Sequence, residues 1–149
     1  MKHIPRRSPF PTLAAGLLLA LFATTTRAEM RQYGSFEVHY SVFSSSFLQP
    51  GIAAAYGIVR AKDRALINIA VRRGTGDAAT VSAVLSGTRG DLIRKTPLEF
   101  REIREEQAVY YIAEFGFVSG ETQYFDIAIQ PAGETRPLVL QFHHVLYAD

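Results

Sequence analysis

The chain contains no cysteine and no tryptophan. Without cysteine there is no disulfide, no thiol nucleophile, no thiolate metal site and no lipid attached at a cysteine behind an export signal. A Gly-x-Ser-x-Gly elbow is missing, so the usual strand-to-helix serine hydrolase site has no sequence counterpart. Arg73-Gly74-Thr75-Gly76-Asp77 has two glycines, but it lacks the spacing, the lysine and the following helix of a phosphate-binding loop. No internal repeat, low-complexity tract or linker interrupts the chain. The apolar run Leu13–Ala23 is 11 residues long, short of the ~20 that cross a bilayer as a helix.

That run has the layout of an export signal. Lys2, Arg6 and Arg7 precede it, and Thr26-Arg27-Ala28 supplies small residues where a signal peptidase reads. Cleavage is expected between Ala28 and Glu29, leaving residues 29–149 as a single β-sandwich domain in the periplasm. Arg6-Arg7 leaves the general and the twin-arginine routes both open. Cleavage reverses the charge. The whole chain carries 16 Lys+Arg against 14 Asp+Glu, but residues 1–28 hold four bases and no acid, so the remainder stands at 12 against 14. The basic isoelectric point belongs to the discarded piece. Neither nucleic acid nor stable membrane insertion is therefore expected of the mature chain. Its 121 remaining residues can bury a core without covalent staples.

What the mature chain has in quantity is alternation. Ser35–Phe43 places Phe36, Val38, Tyr40 and Val42 on one face and Glu37, His39 and Ser41 on the other. Ala65–Arg72 repeats the pattern with Ala65, Ile67, Ile69 and Val71 inward, and Tyr124–Gln130 with Phe125, Ile127 and Ile129. Further strands are expected at 56–61, at 80–88 with a bulge at Gly87, at 96–103 with Pro97 near its start, at 108–115 and at 138–147. Tyr33-Gly34 reads as a lead-in loop. Pro50 to Gly57 reads as one helical turn, started by proline and stopped by glycine, covering the open end of a sandwich. Seven or eight short strands with regular turns predict an all-β, antiparallel, immunoglobulin-like β-sandwich. A closed barrel is the alternative.

Tyr33-Gly34-Ser35-Phe36-Glu37-Val38-His39-Tyr40, the Phe47-Leu48…Pro50 piece and Ala54-Ala55-Tyr56-Gly57-Ile58 resemble a family of small exported Gram-negative bacterial proteins known only as a domain of unknown function. The resemblance covers nearly the whole mature chain. It implies a periplasmic address and one β-rich domain, and it brings no catalytic or binding residues with it.

The residues themselves offer three kinds of site. The first is a protein contact on the apolar connection Ser44–Tyr56, with Tyr40, Phe47, Leu48, Tyr56 and Arg60 as its candidates, because loops on a rigid sandwich carry recognition. The second is a metal or small ligand held by His39 and His143, with Glu37 nearby, if the first and last strands pair. The third is serine hydrolysis at Ser44-Ser45-Ser46 beside His39, weighed against serines that bond loop backbone. Glu102, Glu105 and Glu106 interleave with Arg101 and Arg104 as a solvated hairpin. The expectation is a non-catalytic periplasmic binding or assembly module for another envelope component, without a cofactor. Metal or ligand binding is the alternative and hydrolysis a third reading.

Overall fold

The computed structural model describes residues 28–74 and 79–148. The expected signal lies outside those residues apart from Ala28, as does most of the 73–77 turn. The described residues form two antiparallel sheets, as the alternation predicts. One sheet orders β1 (Glu29–Tyr33), β2 (Phe36–Ser44), β3 (Arg64–Arg73), β7 (Ala108–Gly116) and β6 (Arg101–Glu105). The other orders β5 (Lys95–Pro97), β4 (Ala83–Gly90), β8 (Thr122–Pro131) and β9 (Leu138–Val145). Their inner faces meet in one core. Val38, Ile67, Ile69 and Val71 from the first sheet are essentially solvent-free, as are Ile127, Ile129 and Leu140 from the second. Each such side chain contributes about 1.5–3 kcal/mol on burial.

The strand count reaches nine because three boundaries differ from expectation. Tyr33, expected in a lead-in loop, instead ends a strand, Glu29–Tyr33, and pairs with Phe36 across a Gly34-Ser35 turn. Its sequence, EMRQY, has no alternation because it is an exposed edge strand, where polar residues suit a free ladder. The segment 96–103 divides between the two sheets. Pro97 closes β5 opposite Thr88, having no N–H to extend a ladder. Leu98 then donates to the Gly87 carbonyl at 2.9 Å and buries its side chain where the chain crosses over.

The third difference is at 56–61, which is not a strand. Gly57 has φ +63° and ends the helix α1 (Pro50–Ala55). The N–H of Gly57 bonds the Ala54 carbonyl, and that of Ile58 bonds Ala53, the pairing of a Schellman cap. The backbone is thereby committed to capping and cannot join a sheet. Gly87 is not a bulge either, since the β4–β8 register runs through it unbroken. A Cβ there would stand 2.6 Å from the Asp126 carbonyl oxygen, so the glycine permits close approach of β8.

Helix α1 also lies elsewhere than expected. It packs on the outer face of the five-stranded sheet, not over an open end. Leu48, Ile52, Ala53 and Ile58 bury against Leu66 and Ile112, with Phe43 and Ile103 at the margin. β3 is consequently buried on both faces from Ala65 to Val71, with Asn68 the one polar side chain of that stretch.

Candidate functional site

The connection from Ser44 to Asp63 is built around its serines. Ser44 caps the 3-10 turn Ser45–Phe47: its Oγ accepts from the Ser46 N–H at 3.4 Å and lies 2.8 Å from the Ser46 hydroxyl. Ser45 is buried, and its hydroxyl donates to the Ala61 carbonyl at 3.2 Å while accepting the Ala61 N–H at 3.0 Å. The serines thus bond loop backbone, as one of the two readings has it. Ser44 and His39 differ in register parity on β2, so they face opposite sides of the strand.

A carboxylate fastens the far side. Glu114, on the outer face of β7, accepts from Arg101 at 2.8 Å and from Arg64 at 3.5 Å, and takes the Val59 N–H at 3.5 Å. Arg101 also donates to the Tyr56 carbonyl at 2.9 Å, and Tyr56 donates its hydroxyl to Glu105 at 2.7 Å. Burial and the adjacent Glu105 carboxylate push the Tyr56 hydroxyl up to about 12. Arg60 donates to the Ser46 carbonyl at 2.9 Å, tying the 3-10 turn to the segment after the helix. The importance of Glu114 and Arg101 is not readable from sequence, since each lies about fifty residues from the segment it holds.

The five residues expected at a contact surface separate in the fold. Phe47 is 58% exposed at the tip of the 3-10 turn, Arg60 is exposed beside it and Tyr56 is half-buried. Val59, which no sequence pattern marks, is equally open. Leu48 and Tyr40 are buried, so neither presents a side chain to a partner. Leu48 belongs to the packing beneath α1. Tyr40 points into the sandwich, its ring 4.6 Å from Phe142, which stacks on Phe125 at 4.7 Å. Its hydroxyl donates to Glu29 at 2.8 Å, and burial together with that carboxylate pushes it up to about 12.

The histidines do not converge. β2 pairs with β1 and β3, and β9 pairs with β8, so the first and last strands belong to different sheets. His39, on the outer face of the five-stranded sheet, contacts Glu37 at 3.1 Å. His143, on the outer face of the other sheet, lies 5.8 Å from the Tyr124 ring. His144 is half-buried, and its burial lowers the imidazole below its ordinary range. Among the described residues no group of three or more His, Asp or Glu gathers to hold a metal ion, and no helix is long and apolar enough to cross a membrane.

The sequence matches the family described as domain of unknown function (DUF4426) over residues 30–149. Among solved structures it is similar to a DUF4426 family protein from Pseudomonas aeruginosa PAO1, at 36% identity and TM-score 0.70, over 82% of this chain and 96% of that one. It also resembles FetP from uropathogenic Escherichia coli strain F11 at 11% identity and TM-score 0.57. One such structure is a copper-bound variant, covering 83% of this chain and 97% of that one. The other is an as-isolated form recombinantly expressed in the periplasm, covering 83% and 95%. The FetP likeness extends to the fold alone. No curated protein matches the chain.

Proposed function

The chain belongs to the DUF4426 family, and from that premise we propose that it is a non-catalytic β-sandwich of the periplasm that binds another envelope protein. The contact runs through Phe47, Val59 and Arg60. One observation carries the reading: an aromatic side chain 58% exposed stands on a segment whose backbone is fixed on both sides. A preordered aromatic anchor loses little entropy on association, and such anchors dominate interface energies. The Lys2–Ala28 signal pattern supports the address.

The test is a photocrosslinking residue placed at position 47 and, separately, at Val84, which is exposed on the other sheet. In cells expressing the full chain, position 47 is expected to yield a discrete adduct with an envelope protein that position 84 does not, and Arg60→Glu is expected to weaken it. Identical adducts at both positions, or none at 47, would sink the reading.

A second reading, metal binding, has one specific observation behind it. The Glu37 carboxylate contacts the His39 imidazole, the arrangement that orients metal-ligating histidines, and Met30 stands opposite His39 in the β1–β2 register. Thioether and imidazole together favour copper, and the FetP variant among the neighbours is copper-bound. Metal analysis of protein purified without an affinity tag decides the matter. Stoichiometric copper lost in His39→Asn supports it, and metal-free protein from copper-supplemented cells refutes it.

A further inference from the structure

The four-stranded sheet carries a feature that the contact surface does not use. Inward Phe125 and Ile127 on β8 and inward Leu140 and Phe142 on β9 force Tyr124, Asp126, Gln141 and His143 to the outer face. The register then sets Tyr124 against His143 and Asp126 against Gln141. With Lys95 from β5 they line a recess of about 320 Å³, some ten times the ~30 Å³ share of one liquid water. The two rings sit 5.8 Å apart at 40°, forming a tilted apolar platform. Beside it lie a carboxylate, a primary amide and an ammonium.

These polar groups are uncommitted. Among the described residues, the side chains of Lys95, Asp126 and Gln141 make no hydrogen bond or ion pair within the chain. Some surface charges pair elsewhere, as Arg73 does with Glu134 and Arg104 with Glu102. Lys95 and Asp126 bring one formal charge of each sign to the recess. Asp126 would repel phosphate or an acidic peptide, and Lys95 a cation. His143 and Asp126 alone are too few ligands for a metal ion. A neutral ligand with a flat C–H face and several hydroxyls, shallow enough to lie along a sheet, matches this lining.

We propose that the outer face of the four-stranded sheet is a glycan-binding site: the Tyr124 and His143 rings take the C–H face of a pyranose, and Asp126, Gln141 and Lys95 bind its hydroxyls. Asp126 accepts from vicinal hydroxyls, Lys95 donates to ring or glycosidic oxygens, and Gln141 does both. The site is independent of the Phe47 surface, which lies with the other sheet.

The test is solution NMR of the protein titrated with neutral trisaccharides of glucose, mannose and N-acetylglucosamine, each to ~10 mM, a range that captures millimolar affinity. Tetraglutamate and inorganic phosphate serve as anionic comparators. The expected result is shifting of the 124–126 and 141–143 amides with at least one sugar and with neither anion. Tyr124→Ala should weaken binding about tenfold or more, and Gln141→Ala several-fold, each with a dispersed spectrum. The second variant keeps the test decisive should the first misfold. Three results overturn the proposal: no localised shift with any of the sugars, stronger shifts with the anions, or affinity unchanged in both variants.

Discussion

Two glycines at either end of one short helix should respond with opposite signs to the same substitution. Gly57 closes α1 at φ +63°, and the nearest atom to a Cβ there is the Arg101 Nη1 at 4.0 Å, so alanine meets no clash. The penalty is purely one of backbone conformation, about 1–2 kcal/mol for an L-residue in the left-handed region. Alanine also stiffens the unfolded chain, which returns about 0.4–1 kcal/mol. Gly57→Ala should therefore destabilise by about 1 kcal/mol. Gly51 lies in the first turn of the same helix, exposed, with nothing within 4 Å of a Cβ and no unusual φ. Gly51→Ala takes the unfolded-state gain without the penalty and should stabilise by about 0.4–1 kcal/mol. In the difference between the two variants the unfolded-state contribution cancels, leaving the left-handed penalty alone. With a urea dependence of ~1–3 kcal/mol/M, the midpoints should separate by roughly 0.3–2 M. Far-UV circular dichroism follows the transition, since the chain has no tryptophan. Coincident midpoints, or a more stable Gly57→Ala, would refute the Schellman account of this connection.

Leu48→Ala, which empties the packing under α1, should cost about 2–5 kcal/mol, whereas Phe47→Ala next to it should stay within about 0.5 kcal/mol; thermal melts compare them. Gly87→Ala drives a Cβ to 2.6 Å from the Asp126 carbonyl oxygen and 2.9 Å from the Ile127 Cα, and forcing β4 from β8 should cost at least about 1–3 kcal/mol, read as a lowered Tm. Tyr40 and Tyr56 hold their protons to about 12 in the fold, against 10.0 ordinarily. The fold then binds more protons than the unfolded chain, so stability is full below pH 10 and falls as pH rises toward 12. Tyr40→Phe should flatten that decline in urea midpoints measured across the range. His144 runs the other way: its lowered value means stability present above its ordinary 6.5 and lost as pH falls through the folded value. His144→Gln should make the acid side of the profile shallower.

The legible parts were those carried by strict alternation. Phe36, Val38, Tyr40 and Val42 all reached the core because a period of two sends alternate side chains to the same face of a ribbon. The helical turn at Pro50–Gly57 was equally readable, since proline and glycine act through their own backbone preferences. The candidate surface was only half legible. Phe47 and Leu48 are adjacent and equally apolar, yet one is open and the other enclosed. Only the direction in which α1 folds back distinguishes them.

The amino-acid order by itself determined the layered, all-β character of this protein and the absence of thiol chemistry. These follow from local sterics, residue period and composition, which need no knowledge of distant neighbours. Tertiary structure alone decided that β1 joins an edge, that α1 covers an outer face, that His39 and His143 part company, and that Tyr124, Asp126, Gln141 and His143 border one recess. Each of those depends on which strand pairs with which, and pairing is chosen by the summed burial of the whole chain.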